Sequence, residues 1–328
     1  MLRLVEEMKN KSQEVLKSGK VGIVLAWKKG ELSYDAEPAF FSEVDELRDM
    51  TYDGFCASNL SKYLIEYSNR NEKALIFLKP CDSYNLNLLL AEQRVSRENI
   101  IIIGIACEGK IDVQKLRNAG AKGIIGVVEN GDEVSAQTLY GNKTYPRTEV
   151  LFDKCLSCKG KEHKIYDGLI GEQFSVDTAL GDKYAEILDL EAKSHEERFE
   201  YWRSKLSACI RCNACRNVCP SCSCIKCIFD NADSGVSAKV NVTDFEENLF
   251  HIIRAYHVAG RCSDCGECSR VCPQGIPLQL LNRKHIKDIN SFFGEYQAGE
   301  TAEQVAPLLR YELSDGEPNI LTGRGGSS

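Results

Sequence analysis

Short apolar runs alternate with helix-like stretches in the first half of the chain. Four runs of β-branched and aliphatic residues are typical of buried strands: "KVGIVLAW" (20–27), "KALIFLK" (73–79), "NIIIIGIA" (99–106) and "KGIIGVV" (122–128). Between them, "SNLSKYLIEYSNR" and "DVQKLRNAG" show helical spacing, and the second ends at a glycine that favours a helix C-cap. This alternation predicts an α/β domain over residues 1–175.

The pattern changes in the second half. Residues 176–206 are charged and rich in helix formers, which predicts a helical linker. Residues 207–290 contain two cysteine runs and, between them, "TDFEENLFHIIRAYHVAG", where Thr243 and Glu246 predict a capping box at the start of a helix. The apolar face of this helix is predicted to consist of Leu249, Ile252, Ile253 and Tyr256. Residues 291–328 are assigned to a C-terminal tail, expected to be disordered after about residue 297.

Composition narrows the class of protein. The 328 residues suffice for two domains, and 43% hydrophobic with 27% charged residues describes a soluble globular protein. A net charge of −7 argues against nucleic acid as a partner. No apolar run is long enough for a membrane span, and the N-terminus has no signal-peptide core, so we expect a cytoplasmic protein.

Sixteen cysteines are unusual for such a protein. Thiols stay reduced in the cytoplasm, so these cysteines are expected to bind metal rather than to form disulfides. A secreted disulfide scaffold would need a signal peptide and a smaller chain.

Two cysteine runs, "CIRCNACRNVCP" and "CSDCGECSRVCP", share the spacing C-x2-C-x2-C-x3-C-P. In two-cluster ferredoxins this spacing places three thiolates on one [4Fe–4S] cluster, while the fourth ligates the other cluster. We assign one cluster to the first tetrad, Cys209, Cys212, Cys215 and Cys272. We assign the other to the second tetrad, Cys219, Cys262, Cys265 and Cys268. A pair of zinc sites is the alternative, but zinc ribbons do not need this run.

The long helical spacer between the runs distinguishes this module from the compact ferredoxin fold. Residues 207–290 resemble the all-helical ferredoxin modules of heterodisulfide reductase and succinate dehydrogenase subunits. The predicted fold is therefore an α/β N-terminal domain followed by a mostly α-helical ferredoxin-type domain.

A second cysteine set lies in the N-terminal half. Cys81 in "LKPCD" and Cys107 in "GIAC" each end a predicted strand, and "KCLSC" supplies Cys155 and Cys158. Strand ends at one edge of a sheet can converge, and a later CxxC can complete a tetrad. Taken alone the arrangement is only suggestive, because cysteines at strand ends are often small buried residues.

These four cysteines, which we call the N-terminal tetrad, also carry a family resemblance. A Pro-Cys after one strand, a Gly-Ile-x-Cys after another and a downstream CxxC resemble the β subunits of deazaflavin-coenzyme-reducing hydrogenases. Formate dehydrogenase β subunits with a fused two-cluster domain are similar. The resemblance covers about Tyr52 to Gly171 and implies that the N-terminal tetrad holds a [4Fe–4S] cluster beside an FAD.

Four cysteines remain: Cys56 and an extra trio, Cys222, Cys224 and Cys227. One hypothesis is a fourth cluster, held by the trio and Cys56, that bridges the two domains. The alternative is that Cys56 is a buried thiol and the trio binds zinc or tunes the adjacent cluster. Basic residues near the ferredoxin runs are expected to be solvated: Arg211, Arg216, Arg261 and Arg270.

The preferred function is an electron-transfer subunit of an anaerobic multisubunit oxidoreductase, with three or four [4Fe–4S] clusters. No catalytic residue is predicted. The resemblance implies other redox subunits as partners, of the formate dehydrogenase, hydrogenase or heterodisulfide-reductase type. One alternative is an FAD-dependent oxidoreductase subunit that acts on a deazaflavin or nicotinamide coenzyme. Another is a non-enzymatic zinc-binding module.

Overall fold

The computed structural model describes residues 2–68, 72–158, 162–171, 182–231, 233 and 243–311. Among these residues, no helix is both long and apolar enough to cross a lipid bilayer. The α/β part comes first and the helical part, with both ferredoxin runs, second, which confirms the predicted fold class.

The N-terminal half alternates strands and helices. In chain order these are α1 (Leu2–Lys17), β1 (Ile23–Lys29), β2 (Ala36–Phe41), β3 (Met50–Thr51), α2 (Leu64–Ser68), β4 (Ala74–Leu78), α3 (Pro80–Ala91), β5 (Ile100–Ile105), α4 (Val113–Asn118), β6 (Ile124–Asn130), β7 (Glu133–Thr138), β8 (Lys143–Pro146), α5 (Arg147–Val150), α6 (Asp153–Leu156) and β9 (Gly168–Ile170). Three of the four predicted strands, β1, β4 and β5, form the centre of one sheet.

That main sheet has the order β2-β1-β4-β5-β9, with β3 also paired to β1. Strands β1, β4, β5 and β9 run parallel, whereas β2 and β3 are antiparallel to β1. All five residues of β4 are buried, as expected for a parallel strand covered on both faces. The carboxyl ends of β4 and β5 therefore lie at one edge, where Cys81 and Cys107 follow them.

The fourth predicted strand, "KGIIGVV", belongs elsewhere. Its residues form β6, which pairs antiparallel with β7, and β7 pairs with β8 in a separate three-stranded sheet. The tight connection Asn130–Gly131–Asp132–Glu133 explains this placement, because Gly131 adopts φ +62° and returns the chain directly into β7. A parallel partner would need a longer crossover.

The second half is helical where it is described. Its helices are α7 (Ala185–Glu191), α8 (His195–Leu206), α9 (Ala214–Val218), α10 (Asp244–His257), α11 (Glu267–Arg270) and α12 (Leu278–Phe293). Helix α8 begins at Ser194, which forms a capping box with Glu197. Helices α7 and α8, from the predicted linker, pack against α12 and α10 respectively. The first part of that linker, residues 176–181, lies outside the described residues, as do residues 172–175 before it.

The C-terminal segment departs from the predicted disorder up to residue 311. Ala298 and Ala306 are buried, and Asn87 Nδ2 in α3 donates to the Gly299 carbonyl at 3.0 Å. Gly299 has φ +81°, and a Cβ there would lie 2.0 Å from the Tyr84 carbonyl oxygen. Glycine thus lets this segment pack on the first domain. Residues 312–328, including "TGRGGSS", lie outside the described residues.

The predicted orientation of α10 was wrong, although the helix and its Thr243 cap are present. The side chain of Thr243 accepts from the Glu246 amide, but Leu249, Ile252 and Tyr256 are 36%, 43% and 64% exposed. The buried face instead consists of Glu247, Phe250, His251, Arg254 and Ala255. Helix α10 therefore buries charged and polar groups against the ferredoxin runs.

Candidate metal centres

The two ferredoxin runs adopt the same local backbone. Arg211 and Asp264, two residues after the first cysteine of each run, have φ of 54° and 59°. Asn213 and Gly266, two residues further on, have φ of 62° and 68° and precede short helices α9 and α11. Repeated left-handed positions curl each loop, so that successive cysteines face one centre, and each run is built for the same kind of ligand.

The fourth cysteine of each run lies with the other run. A small cavity is lined by all four cysteines of the first tetrad, including Cys272 from the second run. Conversely, the thiols of the second tetrad interact electrostatically, and the three from the second run each interact with Cys219. This arrangement supports the predicted exchange of ligands between two clusters.

Burial raises the pKa of several of these thiols, whereas a hydrogen bond with Cys222 lowers the pKa of Cys219 to about 6. Desolvation is the largest cause that raises the pKa of Cys268 to about 12 and that of Cys209 to about 12. Bound iron replaces the thiol proton, so loading the sites must release protons. Two donors point at the sulfurs: the Arg211 amide lies 3.4 Å from Cys209 Sγ, and Asn282 Nδ2 lies 3.7 Å from Cys268 Sγ.

Arg254 on α10 lies between the two tetrads. It is 1% exposed, and its Nε, Nη1 and Nη2 atoms have no hydrogen-bond partner in the described structure. Its electrostatic neighbours are Cys268, Cys215, Cys219 and Cys222. A buried guanidinium without a partner is costly unless negative charge faces it. Thiolate-ligated iron–sulfur clusters supply that charge, so the donor set fits two such clusters.

The same face of α10 adds further groups near the first tetrad. Arg211 Nε donates to both oxygens of Glu247 at 3.2 and 3.0 Å. His251 is 1% exposed, and burial, with Arg254 and Arg211, lowers its pKa to about 3, which keeps the imidazole neutral. Sequence reasoning gave Glu247, His251 and Arg254 no role. The available signal was their spacing of four and three residues, which forms a polar stripe on one helix face.

The basic residues expected to be solvated are instead held in ion pairs. Arg270 and Glu267 form two hydrogen bonds, and Arg261 binds both oxygens of Glu92 at 2.6 and 2.7 Å. Arg216 pairs with Asp230, and Arg211 pairs with Glu247. These four side chains are only 8–27% exposed. For Arg211, Arg216 and Arg261 the expectation failed because the carboxylate partner lies on another element, whereas Arg270 pairs with Glu267 three residues earlier on α11.

The N-terminal tetrad gathers at the carboxyl edge of the main sheet. Cys81 lies in the first turn of α3, directly after β4, rather than in the strand itself, and Cys107 follows β5. Cys155 lies in α6, and its electrostatic neighbours include Cys107 and Cys158, while Cys81 interacts with Cys158. The Lys110 amide lies 3.4 Å from Cys155 Sγ. The four thiols thus form one connected group.

The last four cysteines divide into two places. Cys56 is fully buried; the Asp53 amide lies 3.4 Å from its Sγ, and that Sγ lies 3.5 Å from Asp53 Oδ1. Burial raises the pKa of Cys56 to about 12. The extra trio lines a cavity of about 590 Å³ on the ferredoxin side, and Cys56 is not among its lining residues. These contacts give no support to a cluster shared by Cys56 and the trio.

A buried ion network joins the two domains next to these centres. Lys154, adjacent to Cys155, places its Nζ 2.5 Å from Glu267 Oε1, and the Asn59 amide donates to Glu267 Oε2 at 3.1 Å. Burial alone would raise the pKa of Glu267, but Arg270 and Lys154 together lower it well below its usual value. The carboxylate is therefore ionised between two cations.

Comparison with known proteins agrees with these observations. The family model described as a 4Fe-4S dicluster domain matches residues 205–276. The F420-dependent formate dehydrogenase subunit beta of Methanocaldococcus jannaschii is 24% identical, and the match covers 80% of this chain and 84% of that protein. The resemblance to the formate dehydrogenase β-subunit family is confirmed. These matches support iron–sulfur clusters and electron transfer for the present chain.

Two further proteins are similar. The F420-dependent formate dehydrogenase 1 subunit beta of Methanococcus maripaludis is 27% identical, over 67% of this chain and 73% of that protein. Among solved structures, the F420-reducing [NiFe] hydrogenase complex from Methanosarcina barkeri, in a xenon-derivatized form, matches with a TM-score of 0.34 and 11% identity. That match covers 44% of this chain and 55% of the other chain.

Proposed function

We propose that this chain relays electrons between partner subunits of an oxidoreductase complex through three [4Fe–4S] clusters. The N-terminal, first and second tetrads would hold them. The observation that carries the proposal is the Lys154–Glu267 contact, because it joins the surroundings of two tetrads from different domains through buried groups. A relay needs such continuity between its centres.

The contacts support an order for the three centres. Lys154 interacts electrostatically with Cys155 and Cys81 of the N-terminal tetrad. Its partner Glu267 interacts with Cys265 of the second tetrad. Cys268 of the second tetrad interacts in turn with Cys215 of the first. We therefore place the second tetrad in the middle of the relay, between the N-terminal tetrad and the first.

The protein groups around the clusters have defined roles in this proposal. The clusters supply one-electron transfer, while the cysteines hold them and the Arg211 and Asn282 donors polarise the ligand sulfurs. Arg254 places a positive charge between the first and second tetrads and so favours the reduced state of both. The protein thus tunes the centres through charge and hydrogen bonding.

We propose other redox subunits as partners. The relatives that support this are named as subunits of formate dehydrogenases. Neither deazaflavin nor formate is assigned to this chain, because no described group of side chains identifies either.

The order of centres is testable by spin coupling. Reduction of anaerobically purified protein is expected to broaden the electron paramagnetic resonance spectrum through interaction of neighbouring clusters. Cys155→Ala should remove the coupling between the N-terminal and second clusters, whereas Cys272→Ala, the matched control, should leave it. If Cys272→Ala alone abolished that coupling, the N-terminal cluster would adjoin the first tetrad and the proposed order would fail.

A flavin-dependent coenzyme oxidoreductase is the second candidate, because a cavity of about 450 Å³ adjoins the N-terminal tetrad. Ala106, next to Cys107, and Gly171, after β9, both line it at the carboxyl edge of the sheet, where α/β folds commonly bind ligands. Three cations line it, but each has a partner: Lys110 donates to the Asp53 carbonyl at 2.6 Å, Arg147 pairs with Glu129, and Arg3 pairs with Glu7.

Acid precipitation of the purified protein separates the two candidates. The pure relay predicts no released flavin. About one flavin per chain, lost in a variant that fills the cavity, such as Gly54→Trp, would favour the flavoenzyme. The iron content of the same sample serves as the control for intact folding.

A further inference from the structure

The extra trio lines a cavity next to the second tetrad and is surrounded by cations. Cys222, Cys224 and Cys227 all line the 590 Å³ cavity between the ferredoxin module and α2. Cys222 hydrogen-bonds to Cys219 of the second tetrad, so the trio adjoins the middle of the proposed relay. Cys224 is exposed, which opens the site to solvent.

Each thiol of the trio faces a cation from a different element. Lys62 interacts electrostatically with Cys222 and Cys227, and it is partly buried. Arg261 interacts with Cys224 and Cys222. Arg216 hydrogen-bonds to Cys227. Arg261 and Arg216 also pair with Glu92 and Asp230, so part of their charge is already compensated. Three thiolates on a metal centre still gain from facing all three cations, whereas neutral thiols gain little.

The three sulfurs of the trio are not gathered around the position of a single ion. A tetrahedral zinc ion with Zn–S bonds of about 2.3 Å holds its sulfurs about 3.8 Å apart. Among the described residues, which include all sixteen cysteines, the one group of three potential ligands with all atoms within 4.8 Å is Cys209, Glu247 and His251. The trio is therefore wider than a zinc site. A cubane cluster spreads its ligands because each thiolate binds a different iron.

Among the residues that line the cavity, the trio supplies the only cysteines. Cys56, the one cysteine that belongs neither to a tetrad nor to the trio, is hydrogen-bonded to Asp53 and does not line this cavity. Arg94 lines the cavity and has a buried Nε without a hydrogen-bond partner among the described residues. Arg254 also lines the cavity, but its guanidinium already faces the thiols of the two ferredoxin tetrads. A donor such as Arg94 Nε recognises an anion.

We propose that Cys222, Cys224 and Cys227 hold an additional [4Fe–4S] cluster whose fourth iron has no cysteine ligand and binds a small anion in the cavity lined by Arg94 and Arg254. This centre branches from the second tetrad and extends the relay proposed above. It replaces the hypothesis of a cluster shared with Cys56.

The first test is metal content in matched variants. Iron, sulfide and zinc are measured per chain in anaerobically purified wild type, in the triple variant Cys222→Ala/Cys224→Ala/Cys227→Ala and in Cys56→Ala. The triple variant is expected to lose about four irons and to keep about twelve, whereas Cys56→Ala keeps all. Unchanged iron in the triple variant, or loss of zinc in place of iron, would overturn the inference. Clearly fewer than about twelve irons in the wild type would refute the three-cluster relay itself.

A second test needs no substitution that could disturb folding. An iron without a cysteine ligand is lost readily on mild oxidation, so ferricyanide is expected to give about one three-iron signal per wild-type chain by electron paramagnetic resonance. Cyanide should shift the spectrum of one reduced cluster, and Arg94→Gln should weaken cyanide binding about tenfold. Absence of the three-iron signal, or equal cyanide affinity in Arg94→Gln, would contradict an open iron facing this cavity.

Discussion

Glu267→Gln removes the carboxylate that neutralises two buried cations at the domain boundary. The Glu267 side chain is 1% exposed, and those of its partners Lys154 and Arg270 are 9% and 19% exposed. Removal of one member of a buried ion pair typically costs about 3–5 kcal/mol, because the remaining charge is left uncompensated. With a urea m-value of about 2 kcal/mol/M, the unfolding midpoint should fall by about 1.5–2.5 M.

The assay is anaerobic urea unfolding followed by circular dichroism, with Glu37→Gln as the matched control. Glu37 pairs with Lys28 on the surface, where both side chains are about half exposed, so its loss should change stability by less than about 1 kcal/mol. The double variant Lys154→Met/Glu267→Gln should lose less than the sum of the single losses, since no lysine charge remains unpaired. If Glu267→Gln unfolds at the same urea concentration as Glu37→Gln, the buried ion network does not stabilise the interface between the domains.

Three further predictions follow from other contacts. Cys272→Ala should remove about four irons per chain and, of the cluster signals in the electron paramagnetic resonance spectrum, only that of the first tetrad. Retention of that signal would show that Cys272 is not a ligand of the first cluster. Arg254→Gln should lower the potentials of both ferredoxin clusters by on the order of 100 mV, since a unit charge in close proximity contributes roughly 2–3 kcal/mol at an effective dielectric of about 20; unchanged potentials in a redox titration would refute its placement between them. Gly266→Ala should cost about 1–3 kcal/mol more than Gly275→Ala, because both have positive φ but only at Gly266 would a Cβ meet other atoms, at 2.7 Å from Lys154 Cβ; equal urea midpoints would contradict that close approach.

The local features of this molecule were readable from its sequence. Strands β1, β4 and β5, the Thr243 cap and the pattern of the ferredoxin runs all depend on neighbouring residues, so periodicity and spacing identify them. The convergence of Cys81 and Cys107 also follows from adjacent parallel strands. These features place most of the candidate ligands without knowledge of the tertiary contacts.

Features that depend on distant partners were not readable. The face of α10 that buries Glu247, His251 and Arg254 is polar, because it packs on thiols that come from two separate runs. Hydrophobic periodicity assigns the opposite face to the core, because this method treats every charged residue as facing solvent. Lys154 and Glu267 are more than a hundred residues apart, and no pattern within either segment links them. That Cys56 lies apart from the trio was likewise visible only in the tertiary structure.

The most direct test of the relay is the iron, sulfide and zinc content of the anaerobically purified chain. The account predicts at least about twelve irons with equal sulfide and no stoichiometric zinc, in a brown protein that absorbs broadly in the visible range. About eight irons with zinc at the remaining cysteines would leave only the ferredoxin pair as redox centres. That result would contradict a relay that begins at the N-terminal tetrad.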